Sequence, residues 1–397
     1  MGLSLMVPFY LVWILGYLNA IPLTLYKALE MALSIMFIIG LAILLLPIAH
    51  KIINLTRKDK YFLATIILMT LFIILGASLS YIKYLTYNAY AWDLGIFMQA
   101  LFSTAFYHKL LYYTVELFMN PSGSFLGAHF SPILFTLVPI YYLYPHSITL
   151  LAIQAVLLYT PVMPLYLIAL RLTHNENIAF ITSLMYLLSP GVASPLYFDF
   201  HVEVFIPLLY IVTVLLIIMR RWVPAMVSLI LFLMIIEYTP IIALMVIIPI
   251  IYMLIKDREL SKYVMYVILM FVIIILYILI IPRVMGLINP YKSSLAVYNP
   301  STIAGYSGNP LNFVQYAVKY WAFVKLSVFE NIKQKIMYYV ILGAPLFPAF
   351  LSPLWLLPAM PYTVFSILST YTSYYTLGFQ YTMYVVPQLF IAYIVGI

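Results

Sequence analysis

From Tyr61 to Ile82 the chain runs for 22 residues without a charged or histidine side chain, and from Tyr263 to Ile281 it does so for 19. Wound as a helix that rises 1.5 Å per residue, either run covers most or all of the ~30 Å hydrocarbon core of a bilayer. In that solvent every backbone N–H and C=O has to be satisfied inside the protein, which leaves the helix as the spanning form. Further apolar segments occupy 3–25, 28–49, 131–145, 148–170, 178–195, 204–219, 223–237, 240–255, 336–350, 353–369 and 382–397. The predicted fold is all-α, a polytopic bundle of about 11–13 membrane segments with loops and juxtamembrane helices on its outer face. With 66% of the 397 residues hydrophobic and 8% charged, a soluble second domain has no room.

Basic residues set the expected orientation, because short loops rich in Lys and Arg stay in the cytoplasm. His50-Lys51 and Arg57-Lys58-Asp59-Lys60 form one such cluster, and Arg171, Arg220-Arg221 and Lys256-Asp257-Arg258 mark the same side. Segment 61–82 then exits, which places the loop 83–130 outside, and 131–145 reads as short or re-entrant. The stretches 195–203 and 282–335 are outer loops as well; the latter carries Asn289-Pro290, Asn299-Pro300 and Asn309-Pro310. Residues 312–335 read as a membrane-surface stretch. Residues 1–60 form two extra membrane segments and a basic cytoplasmic loop, and 61–397 form the main membrane domain. Met1 to Leu25 lacks the basic start of a cleavable signal and reads as a retained span. The last segment ends without a polar tail, from which a longer natural protein is expected. The expected location is the cell membrane, crossed many times.

The net charge is +8, but the 19 Lys and Arg are scattered among apolar runs, so no nucleic-acid surface is expected and membrane lipids are the expected contacts. The chain has no Cys, which excludes disulfides, thiolate metal sites and Cys nucleophiles.

Eleven acidic residues remain to be weighed one by one. Glu30, Asp59, Glu176, Asp257, Glu259 and Glu330 read as solvated loop charges. Asp93, Glu116, Asp199, Glu203 and Glu237 all fall on the outer side of a topology derived from basic residues alone, and that agreement points to a site. Asp93, in Ala91-Trp92-Asp93-Leu94-Gly95-Ile96-Phe97-Met98-Gln99, has two readings: a helix N-cap, or a base beside the membrane that deprotonates an acceptor hydroxyl. Asp199-Phe200-His201-Val202-Glu203 alternates, so an extended backbone would aim its three polar side chains one way. Mg²⁺ or Mn²⁺ held by Asp93, Asp199 and Glu203 is one expectation, and an interfacial polar loop is the other. Glu237 lies within an apolar run, where an ionisable group is costly and usually functional; the plain alternative is a neutral helix brace. His129 is a candidate for phosphate or acid contact, Gln154 for helix glue or pathway. Arg283 is a candidate phosphate clamp, because it closes a membrane segment and Arg favours forked contacts. The 38 Tyr read as an aromatic belt.

The pairing of Trp92-Asp93-Leu94-Gly95-Ile96-Phe97 and Gln99 with His129-Phe130-Ser131-Pro132 and Phe198-Asp199-Phe200-His201 resembles a family of predicted multi-spanning archaeal and bacterial membrane proteins. That family is catalogued as a domain of unknown function and grouped with the GT-C glycosyltransferases. Pro139-Ile140-Tyr141, Gln154, Pro164-Leu165-Tyr166, Leu187-Leu188-Ser189-Pro190 and Glu237 add support, and the likeness covers roughly residues 80 to 397. It implies a GT-C-like fold with Asp93 as catalytic base and Glu237 in support. Gln99, His129, Asp199, His201, Glu203 and Arg283 would line the substrate site. The donor would be a sugar on a polyprenyl phosphate; the acceptor would be a glycan, lipid or protein outside the cytoplasm. Three positions depart from the pattern: Trp92 stands where the family has Tyr, Ile236-Glu237-Tyr238 where it has Lys-Glu-Asp, and Gln380-Tyr381 where it has His-Tyr. A transporter or lipid flippase, and a catalytically silent assembly subunit, are the alternative expectations.

Overall fold

The computed structural model describes residues 2–257, 262–291 and 313–397. Among them helices dominate: α1 (Gly2–Tyr17), α2 (Leu23–Lys58), α3 (Lys60–Leu85), α4 (Ala91–Tyr107), α5 (Phe125–Ala128), α6 (Val138–Leu143), α7 (Ser147–Tyr159), α8 (Val162–Thr173), α9 (Glu176–Leu187) and α10 (Pro190–Tyr197). There follow α11 (Phe205–Ile218), α12 (Trp222–Leu233), α13 (Thr239–Lys256), α14 (Val264–Ile288), α15 (Phe313–Lys319), α16 (Trp321–Phe329), α17 (Ile332–Gly343), α18 (Pro353–Leu356), α19 (Met360–Leu368) and α20 (Val386–Gly396). Seven helical stretches among the described residues are long and apolar enough to cross a membrane, and four shorter apolar helices accompany them. The all-α polytopic bundle is thus as expected. The segment 131–145 is indeed short, a 3-10 turn over Pro132–Thr136 followed by α6.

The interior lies where α3, α7, α8, α9, α11 and α20 meet, with Leu150, Leu158, Tyr166, Tyr186, Ile211 and Phe390 buried. Lipid tails are as apolar as these side chains, so close packing and hydrogen bonds hold the helices together rather than escape from water. The α1–α2 pair illustrates this, because a Cβ at Gly40 would lie 2.6 Å from the carbonyl oxygen of Gly2. Only glycine permits that approach.

The same pair docks on the end of α4. A helix leaves its last four carbonyls without partners, and His108, in the left-handed region at φ 53°, stops α4. Trp13 Nε1 donates to Thr104 O at 2.9 Å and Tyr26 Oη to Ala105 O at 3.0 Å. Tyr10 Oη adds a bond to Phe135 O at 3.2 Å.

Two sequence expectations change here. The basic cluster near residue 58 is not a loop, since α2 runs to Lys58 and α3 begins at Lys60. Asp59 is the whole hinge: its Oδ1 accepts from Tyr61 N and Phe62 N, capping α3, and Tyr166 Oη donates to its other oxygen. Asp59 and Glu30 were expected to be solvated, and both are buried. Glu30 sits on α2 beside the phenols of Tyr26 and Tyr142. Glu259, Lys292 and the two later Asn-Pro pairs lie outside the described residues.

The helix order puts residues 87, 197 and 371 at one face of the bundle and residues 58 and 177 at the other. Because the chain has no Cys, single cysteines report this directly. With a membrane-impermeant maleimide on sealed, oriented vesicles, Tyr87→Cys, Tyr197→Cys and Tyr371→Cys should label together, and Lys58→Cys and Asn177→Cys only after permeabilisation or inversion. Mixed labelling within either set would refute the arrangement.

Candidate functional site

Asp93 occupies the third position of α4, behind Tyr90, whose side chain makes no capping bond. The N-cap reading of Asp93 therefore fails. Its carboxylate faces His201 instead, with Nε2 at 3.5 Å from Oδ1; the two side chains are 33% and 10% exposed. This is ion-pair spacing, looser than a good hydrogen bond, and it leaves Asp93 partly open to whatever approaches.

His201 comes from the break between α10 and α11. Phe198 and His201 both have extended backbones, and a 3-10 turn over Val202–Val204 then leads into α11. The turn bends the alternating stretch, so the three polar side chains do not line up: Asp199 meets Lys83, His201 meets Asp93, and Glu203 meets Tyr384.

Lys83, in the last turn of α3, is a residue that sequence reasoning missed. Its Nζ lies 2.8 Å from Asp199 Oδ1 and donates to Tyr197 O at 3.2 Å and to Phe198 O. Asp199 is fully buried, and apart from this ion pair no hydrogen bond of good geometry reaches its carboxylate. Gln154 works alongside, its Nε2 donating to Pro195 O at 2.6 Å and Asp199 O at 3.3 Å; it is helix glue. His201 Nδ1 lies 3.1 Å from Asp199 O. A carbonyl only accepts, so Nδ1 carries the proton there and Nε2 is turned to Asp93. Burial pushes the imidazole pKa down, but the Asp93 and Glu203 carboxylates and the Asp199 carbonyl outweigh it, and the net shift is upward.

A second carboxylate–histidine pair stands nearby. Glu237 lies within an apolar run but not within a helix: α12 stops at Leu233 and α13 starts at Thr239, which leaves Glu237 in the turn between them. Its Oε1 lies 3.0 Å from His129 Nδ1, and its Oε2 accepts from Phe130 N at 2.9 Å. Rings connect the two pairs, from His201 to Phe97 at 5.4 Å, Phe97 to Phe125 at 5.1 Å and Phe125 to His129 at 5.8 Å. Tyr384 feels both Glu203 and Glu237.

Tyr371, Tyr374, Tyr381 and Tyr384 form a wall beside these acids; of the four, the sequence motifs single out Tyr381 alone, and the others read as part of a general aromatic belt. Tyr374 and Tyr381 rings stand 4.7 Å apart. Burial, then Tyr371 and Glu203, push the Tyr374 hydroxyl up to about 12. Phe198 stacks on His201 at 4.8 Å and meets Phe379 at 5.0 Å.

Two expected site residues are occupied elsewhere. Gln99 Oε1 accepts from Thr114 N at 3.0 Å and Thr114 Oγ1 at 3.2 Å, tying α4 to the following loop. Arg283 does not close its helix, because α14 continues to Ile288, and its guanidinium donates to Leu279 O at 2.9 Å on an exposed face. Nor do Asp93, Asp199 and Glu203 form a ligand set for Mg²⁺ or Mn²⁺ as they stand. Asp199 is paired with Lys83, and among the described residues no three His, Asp or Glu side chains converge on a metal position.

Compared with known families, residues 82–397 match the one described as predicted membrane protein (DUF2079). The chain belongs to that family. No curated protein and no solved structure matches it. The DUF2079 region opens at the last turn of α3, close to the boundary expected from the motifs, and contains Lys83, Asp93, His129, Gln154, Asp199, His201, Glu203 and Glu237. Helices α1, α2 and most of α3 precede it. The protein is a multi-pass membrane protein.

The raised His201 pKa sets a pH dependence. A histidine that binds its proton more tightly when folded adds stability below its unfolded pKa and loses that contribution as pH rises through the folded value. In detergent, thermal stability should therefore fall as pH climbs from just below His201's ordinary range to above it. Asp93→Asn and His201→Gln should each flatten that slope. An unchanged slope in both would mean that other groups dominate.

Proposed function

We propose that this protein is a GT-C-like glycosyltransferase that takes a sugar from a polyprenyl-phosphate carrier and passes it to an acceptor outside the cytoplasm. The observation that carries the reading is the partly exposed Asp93 carboxylate, held against His201 on the same face as Glu203, Glu237 and a wall of tyrosines. In the proposed step the acceptor O–H gives its proton to Asp93 while its oxygen bonds to the anomeric carbon. The bond from that carbon to the lipid-phosphate oxygen breaks, and the lipid phosphate leaves with the electron pair. A base so placed contributes roughly 10²- to 10⁴-fold. His201 holds Asp93 in orientation, and Glu237 holds the His129 corner in place.

The features that would favour a transporter have local explanations. Gln154 is hydrogen-bonded to carbonyls rather than lining a path, and Glu237 sits in a turn.

Gly95 tests the helix that bears Asp93. It lies inside α4, and a Cβ placed there would have no atom within 4 Å. Glycine in a helix interior costs about 1 kcal/mol relative to alanine, so Gly95→Ala should stabilise the protein by that order and raise its melting temperature; a lower melting temperature would show that the position is crowded.

The direct test is radiolabel transfer by purified protein in liposomes, from a panel of polyprenyl-phosphate sugars to membrane-lipid acceptors. Wild type should transfer label, and Asp93→Asn should lose at least about 100-fold while keeping its melting temperature at a pH above the titration of His201, where the pair adds no stability. Lipid scrambling or solute uptake without transfer would replace the enzyme reading with the transporter. Equal loss of folded protein in Asp93→Asn would reduce Asp93 to a structural role.

A further inference from the structure

A helix that breaks near a membrane surface exposes carbonyls that need donors, and at the break after α10 those of Pro195, Tyr197, Phe198 and Asp199 receive side chains. Pro195 O and Asp199 O receive the Gln154 carboxamide, from α7. Tyr197 O and Phe198 O receive the Lys83 ammonium, from α3, which also carries the charge that balances the buried Asp199. Asp199 O then accepts a second bond, from His201 Nδ1. His201 is thus oriented by the carbonyl of a residue held from two neighbouring helices, its carbonyl by Gln154 and its carboxylate by Lys83. An ammonium at the C-terminal end of α3 is also favoured there by the helix dipole.

We propose that Lys83 and Gln154 are positioning residues: together they lock the Tyr197–Asp199 backbone so that His201 presents Nε2 to Asp93. This rests on the reading of Asp93 and His201 as the reactive pair, but the geometric claim can be tested without any substrate. Neither residue touches Asp93, so their effect passes through Asp199 and His201. Lys83 consequently has no role as a clamp for a lipid phosphate, because three oxygens already share its ammonium.

Removing Lys83 alone would strand the Asp199 charge in the interior without a partner and threaten folding itself. The informative change is therefore Lys83→Met with Asp199→Asn, which deletes both charges. Gln154→Met is a second, nearly isosteric variant that alters no charge. The readout is the titration of His201 by NMR in ¹⁵N-histidine-labelled protein, the signal being assigned among six His with His201→Gln. Asp93, Glu203 and the Lys83–Asp199 pair are the charged groups around that ring. In the parent chain, Asp93→Asn should lower the His201 midpoint. In the Lys83→Met/Asp199→Asn background, and in Gln154→Met, the same Asp93→Asn change should move it little or not at all, because the ring no longer faces position 93.

An undiminished shift in both backgrounds would overturn the proposal. If the double variant does not fold, Gln154→Met decides: a lost shift supports the lock, and a retained one sinks it. Transfer activity separates this proposal from the functional reading. Where the parent is active, each folded positioning variant should lose activity on the order of 100-fold, the usual cost of misplacing a reacting group by about an ångström. Lost coupling in the variants with no transfer by the parent would keep the lock and discard the glycosyltransferase.

Discussion

Broken helices are hard to accommodate in a membrane, since each end leaves backbone groups that lipid cannot satisfy. This chain breaks its helices repeatedly on the Asp93 face, and side chains from other helices answer nearly every break described there. Lys83 and Gln154 serve the end of α10. Trp13 and Tyr26 serve the end of α4, and Glu237 accepts the Phe130 N–H where the chain turns after α5. The polar residues needed for that repair are the same ones that assemble the candidate site. A protein with unbroken spans would have had no structural reason to gather them there.

The two carboxylate–histidine pairs illustrate how burial divides labour. Asp93–His201 is spaced at 3.5 Å with a third of Asp93 exposed, whereas Glu237–His129 is closer, at 3.0 Å, and Glu237 also takes a backbone donor. Glu237 is thereby committed to holding two segments together, and Asp93 retains acceptor capacity. Phe97 and Phe125 stand between the pairs as a packed divider, and the aromatic rings around His201 restrict water while leaving the carboxylate reachable.

The helical class, the short segment after His129 and the gathering of acids on one face were legible in the sequence, because run length and charge placement are one-dimensional quantities. Burial and partner choice were not. Asp59 looked solvated because it stands between Lys58 and Lys60, and Glu30 because Lys27 is near it in the chain, yet tertiary packing covers both. Glu237 looked embedded because hydropathy cannot distinguish a helix from a tight turn between two helices. Lys83 drew no notice, as the first residue of an outer loop; its long-range partners, more than a hundred positions away, leave no local trace. Tyr371, Tyr374 and Tyr384 were hidden for a different reason, since among 38 tyrosines they do not stand out until the fold selects them. Arg283 failed through a boundary error of two helical turns, enough to move a side chain from a site to an outer surface.

The docking of α1 and α2 on α4 has an evolutionary consequence. Trp13 and Tyr26 recognise the carbonyls of Thr104 and Ala105, not their side chains. Recognition of main chain is indifferent to sequence, so the residues of α4 are free to diversify without losing this support. The segment ahead of the family region thus buttresses α4 through main chain, whatever side chains α4 carries at those two positions.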